Sequence, residues 1–390
     1  MIFSLELSKK MEYDKHVKSR KIEHLLITLS KDVESGRSTL LECVELLHNP
    51  LTDADFDIED ESFSKASFLG YEISMPFMIG AMTGGHPDTK IVNDLLSKAA
   101  EELRIPIATG SAKAALRALG GDPSVADTYS IVAENAPSVP RIVNLGIEDL
   151  IIANERGKLI DALEEAIDLI DASAIQIHIN PLQEIAQKGR VRQRGIIETL
   201  TRIKERSDDS KKTVIIKEVG SGFSPHSLSI LSSIGFERID VEGVGGTSWA
   251  KVEELRGGFA GSYASRGVPT AVAIIYAKRS GFNVIAGGGI RTGLDALKAI
   301  ALGASLSASA LGVLRALFPR GSLDPDYENL IRYLKRIAYE IRIGIFLSGA
   351  RNLKEFKSYV SYIIKPPLSY YLQKLRGFNH SFYLYYGSPV

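Results

Sequence analysis

Between residues 72 and 312, short apolar runs alternate with longer amphipathic stretches. The apolar runs read ISMPFMIGAMTGG, RIPIATGS, RIVNLG, SAIQIHIN, TVIIKEVG, RIDVEGVGG, NVIAGGG and ASLSASA. Between them lie segments such as TKIVNDLLSKAAEEL and GKLIDALEEAIDLIDA, whose apolar residues recur at helical spacing. Strand–helix alternation predicts a parallel sheet. Eight such units in one stretch fit an α/β fold of the (β/α)8 TIM-barrel type better than an open sheet. The last run has the weakest pattern, because serine and alanine have little strand preference.

The fourth run carries the sharpest alternation. Ile175, Ile177 and Ile179 occupy one face of the predicted strand, and Gln176, His178 and Asn180 the other. On an isolated strand the polar face would be solvated. In a barrel whose outside is covered by helices, the isoleucines face outward and the polar row faces the interior, near the strand end where barrel enzymes keep their chemistry.

The chain divides into residues 1–70, a mixed and partly charged segment, a barrel over 71–318, and a helical C-terminal extension over 319–390 that ends in a tyrosine-rich tail. The tail's aromatic density suits an oligomer interface or packing onto the barrel. Lys plus Arg and Asp plus Glu each number 47, so nothing global suggests nucleic acid or an anionic membrane as partner. The single cysteine, Cys43, excludes an internal disulfide and a thiolate cage. No apolar run approaches the roughly 18 residues of a membrane span, and the first residues lack the pattern of a secretory leader. A cytoplasmic protein is expected.

Several strand ends carry candidate chemistry. GGGIRTG, Gly287–Gly293, lets backbone N–H groups and a helix start approach a phosphate, with Arg291 adding charge; its place after the seventh run favours a phosphate over a plain turn. Thr292 stands where a dinucleotide fingerprint needs glycine. VEGVGGTSW offers Thr247 to a ligand, or is a tight turn with Ser248 as helix cap. Lys217 is either paired with Glu218 or a fixed charge for a ligand. Ala81, Met82, Thr83 and Gly84 would admit a flat ring, and Ser111 and Asn144 end the second and third runs. Together these describe a site for a flat phosphorylated heterocycle such as FMN. Arg20, Lys21 and His24 form a cluster that suits either a polyanion or a solvated helix start.

With RKIEH, AMTGG, NLG, IHINPLQE, IKEVGSG, GVGGTSWAKVE, GVPTA and GGGIRTGLDALKAIALGA in this order, the chain resembles the type 2, FMN-dependent isopentenyl diphosphate isomerases over about residues 18–355. The resemblance implies conversion of isopentenyl diphosphate to dimethylallyl diphosphate, with reduced FMN as acid and base, Mg2+ on the diphosphate and NADPH as reductant. It implies that Met82, Thr83, Ser111, Asn144, Lys217 and Thr247 hold the flavin ring and ribityl chain, and that Gly288, Gly289, Arg291, Ala310 and Leu311 hold its phosphate. Glu184 would bind Mg2+, one carboxylate with phosphate oxygens and waters being ordinary for that ion. Arg20, Lys21, His24, His178 and Asn180 would surround the diphosphate, Gln183 would sit by the double bond, and Trp249 and Glu253 near the substrate and a subunit contact. A homo-oligomer, tetramer or octamer, is also implied.

The chain departs from that pattern in places. Ser111, Ala112 and Lys113 stand for the usual Ser-Gln-Arg, Glu242 for a small residue, Ser305 and Ala308-Ser309-Ala310 for Asp and Gly-Met-Ala, and the basic QKGRVRQRG for an acidic loop. Two other readings remain. Another FMN barrel oxidoreductase would need a late barrel histidine, of which only His226 is present, or a mid-barrel cysteine, whereas Cys43 precedes the barrel. A flavin-binding barrel without turnover is the second.

Overall fold

The computed structural model describes residues 20–319 and 322–377. The tyrosine-rich tail beyond residue 377 and the chain before residue 20, where an oligomer contact and a leader were considered, lie outside the described residues. Eight parallel strands close into a barrel: β1 Phe77–Ile79, β2 Ile107–Ser111, β3 Arg141–Gly146, β4 Ala174–His178, β5 Thr213–Lys217, β6 Arg238–Asp240, β7 Asn283–Ala286 and β8 Leu306–Ser309. Closure is made by β8 beside β1, with Ser307 opposite Phe77 and Ser309 opposite Ile79.

The weakly patterned eighth run is therefore a strand. Its serines are tolerated because backbone carbonyls satisfy them: Ser307 Oγ donates to Pro76 O at 2.9 Å and Ser309 Oγ to Ile290 O at 2.8 Å. The first run is not one strand but two. Pro76 interrupts it, and Tyr71–Ile73 instead pairs antiparallel with Ala66–Phe68 across a turn in which Leu69 and Gly70 have φ of 53° and 85°. Phe68 and Ile73 of this hairpin pack with Met78, Ile142, Ile215, Ile285 and Leu306, the apolar filling of the barrel interior.

Along β4 the alternation divides the two environments. Ile175 and Ile177 are buried in the shell between strands and helices, with Leu163, Ala166 and Ile203. Gln176 is buried on the other face, where its Nε2 donates to Asp240 Oδ2 at 3.1 Å. The extensions join each other as well as the barrel: Val44–Leu46 pairs antiparallel with Tyr362–Ile364, and buried Arg342 of the long helix Tyr327–Leu347 donates to Ile58 O at 2.6 Å. No helix among the described residues is long and apolar enough to cross a membrane.

Candidate active site

A cavity of about 500 Å3 opens at the C-terminal ends of the strands, roofed on one side by the N-terminal helix Arg20–Ser30. The structure brings to its wall Arg20, Lys21, His24, Ala81, Met82, Thr83, Ser111, Lys113, Asn144, His178, Asn180, Gln183, Glu184, Lys217, Thr247, Trp249, Gly288, Gly289, Arg291, Ala310 and Leu311. Three expected residues are not on it. Gly84 lies behind, because an added Cβ there would stand 2.2 Å from the ring of buried Tyr129; its glycine serves packing. Ala112 is fully buried in the turn after β2. Glu253 is buried behind His24 and acts only through neighbours.

On the floor, buried Lys217 donates to Asp240 Oδ2 at 3.2 Å and to Glu242 Oε1 at 2.6 Å. It does not pair with Glu218, whose carboxylate accepts the N–H groups of Val219, Gly220 and Ser221 and the Asn180 amide. Burial pushes Asp240 up to about 7, with Lys217 opposing and Glu242 adding to the rise. Two carboxylates and an ammonium thus share one low-dielectric pocket, and Glu242 holds its place at a φ of 35°.

His178 Nδ1 lies 2.7 Å from Asn144 Oδ1. An amide oxygen only accepts, so Nδ1 carries the hydrogen and Nε2 keeps its lone pair. Burial first, then the charges of Lys217, Lys21 and Arg20, depress this imidazole to about 3, so it is neutral at pH 7. Asn180 caps the helix Pro181–Lys188, accepting from Gln183 N at 2.7 Å. That hydrogen bond starts the helix whose first turn presents Gln183 and Glu184.

At the mouth, Arg20 donates to Gln187 Oε1 at 3.0 Å and Lys21 to Ser111 O at 3.3 Å. Burial and the neighbouring Arg20 lower the Lys21 amine to about 8, with Asp149 opposing. Lys113 is paired with Asp149. His24 Nε2 lies 2.9 Å from Glu253 Oε1, and its ring meets Trp249 edge to face at 5.2 Å. Glu253 also accepts from Gln187 at 2.8 Å and Arg256 at 2.7 Å, a second row that fixes the helix carrying Arg20, Lys21 and His24.

At the glycine-rich end, Arg291 donates to Gly289 O and Gly245 O and pairs with Glu34 at 2.9 Å. Ser248 caps the next helix through Lys251 N at 3.1 Å, while Glu242, Gly246, Thr247 and Trp249 of that motif reach the cavity. Sequence patterns missed Glu34, Glu148, Lys188, Arg315, Tyr333 and Arg336, which also line it. The last three come from helices at or beyond the barrel's end, where no local motif marks them; the i,i+4 spacing of Glu184 and Lys188 was the one readable signal.

A family model described as FMN-dependent dehydrogenase matches residues 198–362. The isopentenyl-diphosphate delta-isomerase of Methanosarcina barkeri is 39% identical over 370 residues, covering 92% of this chain and 95% of that protein. The isopentenyl-diphosphate delta-isomerase of Aeropyrum pernix is 38% identical over 346 residues, covering 86% and 87%. Among solved structures, mandelate oxidase with (S)-2-phenylpropionate superposes with a TM-score of 0.56 at 17% identity, covering 88% of this chain and 90% of that one. A flavocytochrome b2 variant gives 0.58 at 15% identity, covering 89% and 82%. These two likenesses are of fold alone.

Proposed function

Since the chain belongs to the isopentenyl-diphosphate delta-isomerase family, we propose that it converts isopentenyl diphosphate to dimethylallyl diphosphate with FMN bound in the barrel mouth. The observation that carries the reading is one cavity with two chemically different ends. One end has glycine backbone, Arg315 and Arg336, suited to a cofactor phosphate, and the other has Arg20, Lys21, His178 and Glu184, suited to a diphosphate and its metal ion.

The residues fit a flavin. Thr83 Oγ1 is buried beside the cavity with no hydrogen-bond partner among the described residues, and a polar ring edge would supply one. Thr83, Asn144 and Lys217 would hold the ring, with Gly288, Gly289 and Ala310 at the phosphate. The chemistry FMN supplies when bound and reduced is acid and base at its ring, which an unactivated alkene requires. The chain's own part is to bind, orient and exclude water. Arg20 and Lys21 neutralise the diphosphate, His178 presents neutral Nε2, Gln183 stands at the start of its helix beside the alkene, and the helix Arg20–Ser30 covers the opening.

A divalent cation also fits. Among the described residues Glu184 Oε2 has no aligned hydrogen-bond donor, yet a lysine ammonium rests 2.6 Å from it. Mg2+ with one or two carboxylates and substrate phosphates is a normal coordination for that ion. NADPH as reductant, self-association into tetramers or octamers and a cytoplasmic location belong to the same proposal. An α-hydroxy-acid oxidase fits less well: His226 is exposed and away from the cavity.

The test is anaerobic incubation of the full chain with reduced FMN, Mg2+ and isopentenyl diphosphate in D2O, followed by NMR. Dimethylallyl diphosphate carrying deuterium is expected. Absence of product at saturating FMN would overturn the reading.

A further inference from the structure

Two carboxylates at the cavity mouth share one ammonium. Glu148 sits in the first turn of the helix Ile147–Glu155 that follows β3, and Glu184 in the first turn of the helix Pro181–Lys188 that follows β4. Neighbouring strands thus deliver both groups to one point on the rim. Lys188 closes it, with Nζ 2.7 Å from Glu148 Oε2 and 2.6 Å from Glu184 Oε2.

The anions are fixed and the cation is not. Glu148 is held from behind by Arg192 N–H, which donates to its other oxygen at 3.1 Å. Glu184 is set by its helix, which Asn180 caps. Lys188 is the last helical residue before Gly189, which turns the chain away with φ 67°, and its side chain is 36% exposed. Its flexible stem can swing into water without disturbing the helix.

We propose that Lys188 is the resident counter-cation of the metal site: it holds Glu148 and Glu184 together until a divalent ion displaces it and takes both carboxylates. This rests on the reading that a divalent cation joins the diphosphate at Glu184, and it adds Glu148 as second ligand and Lys188 as competitor. One cation already touches both oxygens, and Mg2+ at about 2.1 Å needs only a small inward movement of each. Replacing a single charge by a double one leaves the site one unit more positive, which a diphosphate compensates. The metal is therefore held weakly alone and tightly with the anion, so Lys188 couples metal binding to substrate binding.

The test uses Mn2+ as probe, read by electron paramagnetic resonance on the FMN-loaded full chain, with and without inorganic pyrophosphate. Without pyrophosphate, K188M should bind Mn2+ at least about tenfold more tightly than wild type, since a competing unit charge at contact distance is gone. K188R, which keeps the cation, should stay near wild type, and E148Q should bind less tightly than wild type. Pyrophosphate should tighten Mn2+ binding strongly in wild type and much less in K188M.

Equal or weaker binding in K188M, no change in E148Q, or no Mn2+ binding in any variant would overturn the proposal. The readout is independent of turnover. Isomerisation by wild type with Mn2+ affinities that ignore Lys188 would sink only the counter-cation. The expected affinity order with no isomerisation would sink only the assigned reaction.

Discussion

Replacing Glu253 by glutamine tests whether this carboxylate, which lies off the cavity wall, holds the roof of the site. It is 1% exposed and accepts from His24, Gln187 and Arg256, of which His24 and Gln187 reach the cavity. Burial opposes its charge, but the hydrogen bonds from His24 and the pairing with Arg256 outweigh it and bring the carboxyl down to about 2 from an ordinary 4.5. At about 1.36 kcal/mol per pKa unit, that difference corresponds to roughly 3 kcal/mol of native-state stabilisation at pH 7. A folded value below the unfolded one means the contribution is fully present above about pH 4.5 and is lost as pH falls toward about 2.

Burial also lowers His24 from 6.5, so its ring is neutral at pH 7 and only Arg256 brings a full opposite charge. The figure is therefore an upper bound for E253Q. A loss of roughly 3 kcal/mol confined to docking of the helix Arg20–Ser30 raises its opening constant on the order of 100-fold. Hydrogen–deuterium exchange of residues 20–30 in the flavin-free chain should accelerate by up to that factor. Trp249, the single tryptophan, meets His24 directly, so its emission should shift to the red. Exchange within about threefold of wild type with unchanged emission would refute the anchoring role.

Because Lys21 loses its proton near pH 8, kcat/KM for isopentenyl diphosphate should fall as pH rises through about 8, while K21R stays level; a level wild-type profile would count against Lys21 as a diphosphate ligand. E242A removes the carboxylate 2.6 Å from Lys217 Nζ and should move the FMN midpoint potential to a more positive value in a dithionite titration with a reference dye. A potential that does not move would show that Lys217 is not screened by Glu242. G84A forces a Cβ against Tyr129 at a φ of 143° and should cost at least about 2 kcal/mol in denaturant unfolding. An unchanged midpoint would contradict the packing role given to Gly84.

Much of the barrel was legible because strand and helix periods are local properties. The isoleucines of β4 and the helical spacing of its neighbours required no knowledge of distant residues. The first run misled because Pro76 splits an apolar stretch that looks continuous, and only the pairing of Tyr71–Ile73 with Ala66–Phe68 reveals the break. The eighth run looked weak because its strand character comes from backbone pairing with β7 and with β1, the latter more than 200 residues away, rather than from the preferences of its own residues.

The site divides along the same line. By itself, the sequence determined which residues stand at strand ends, since the alternation of β4 and the glycine-rich turns set that locally. It could not say how each charge is spent. The sequence leaves Lys217 either paired with adjacent Glu218 or free as a fixed charge for a ligand; a strand turns successive side chains to opposite faces, and its partners are Asp240 and Glu242 on the next strand's course. Glu253, Glu148 and Lys188 acquire meaning only where helices from separate units meet. Ion pairing depends on distance in space and on burial, and tertiary packing alone fixes both.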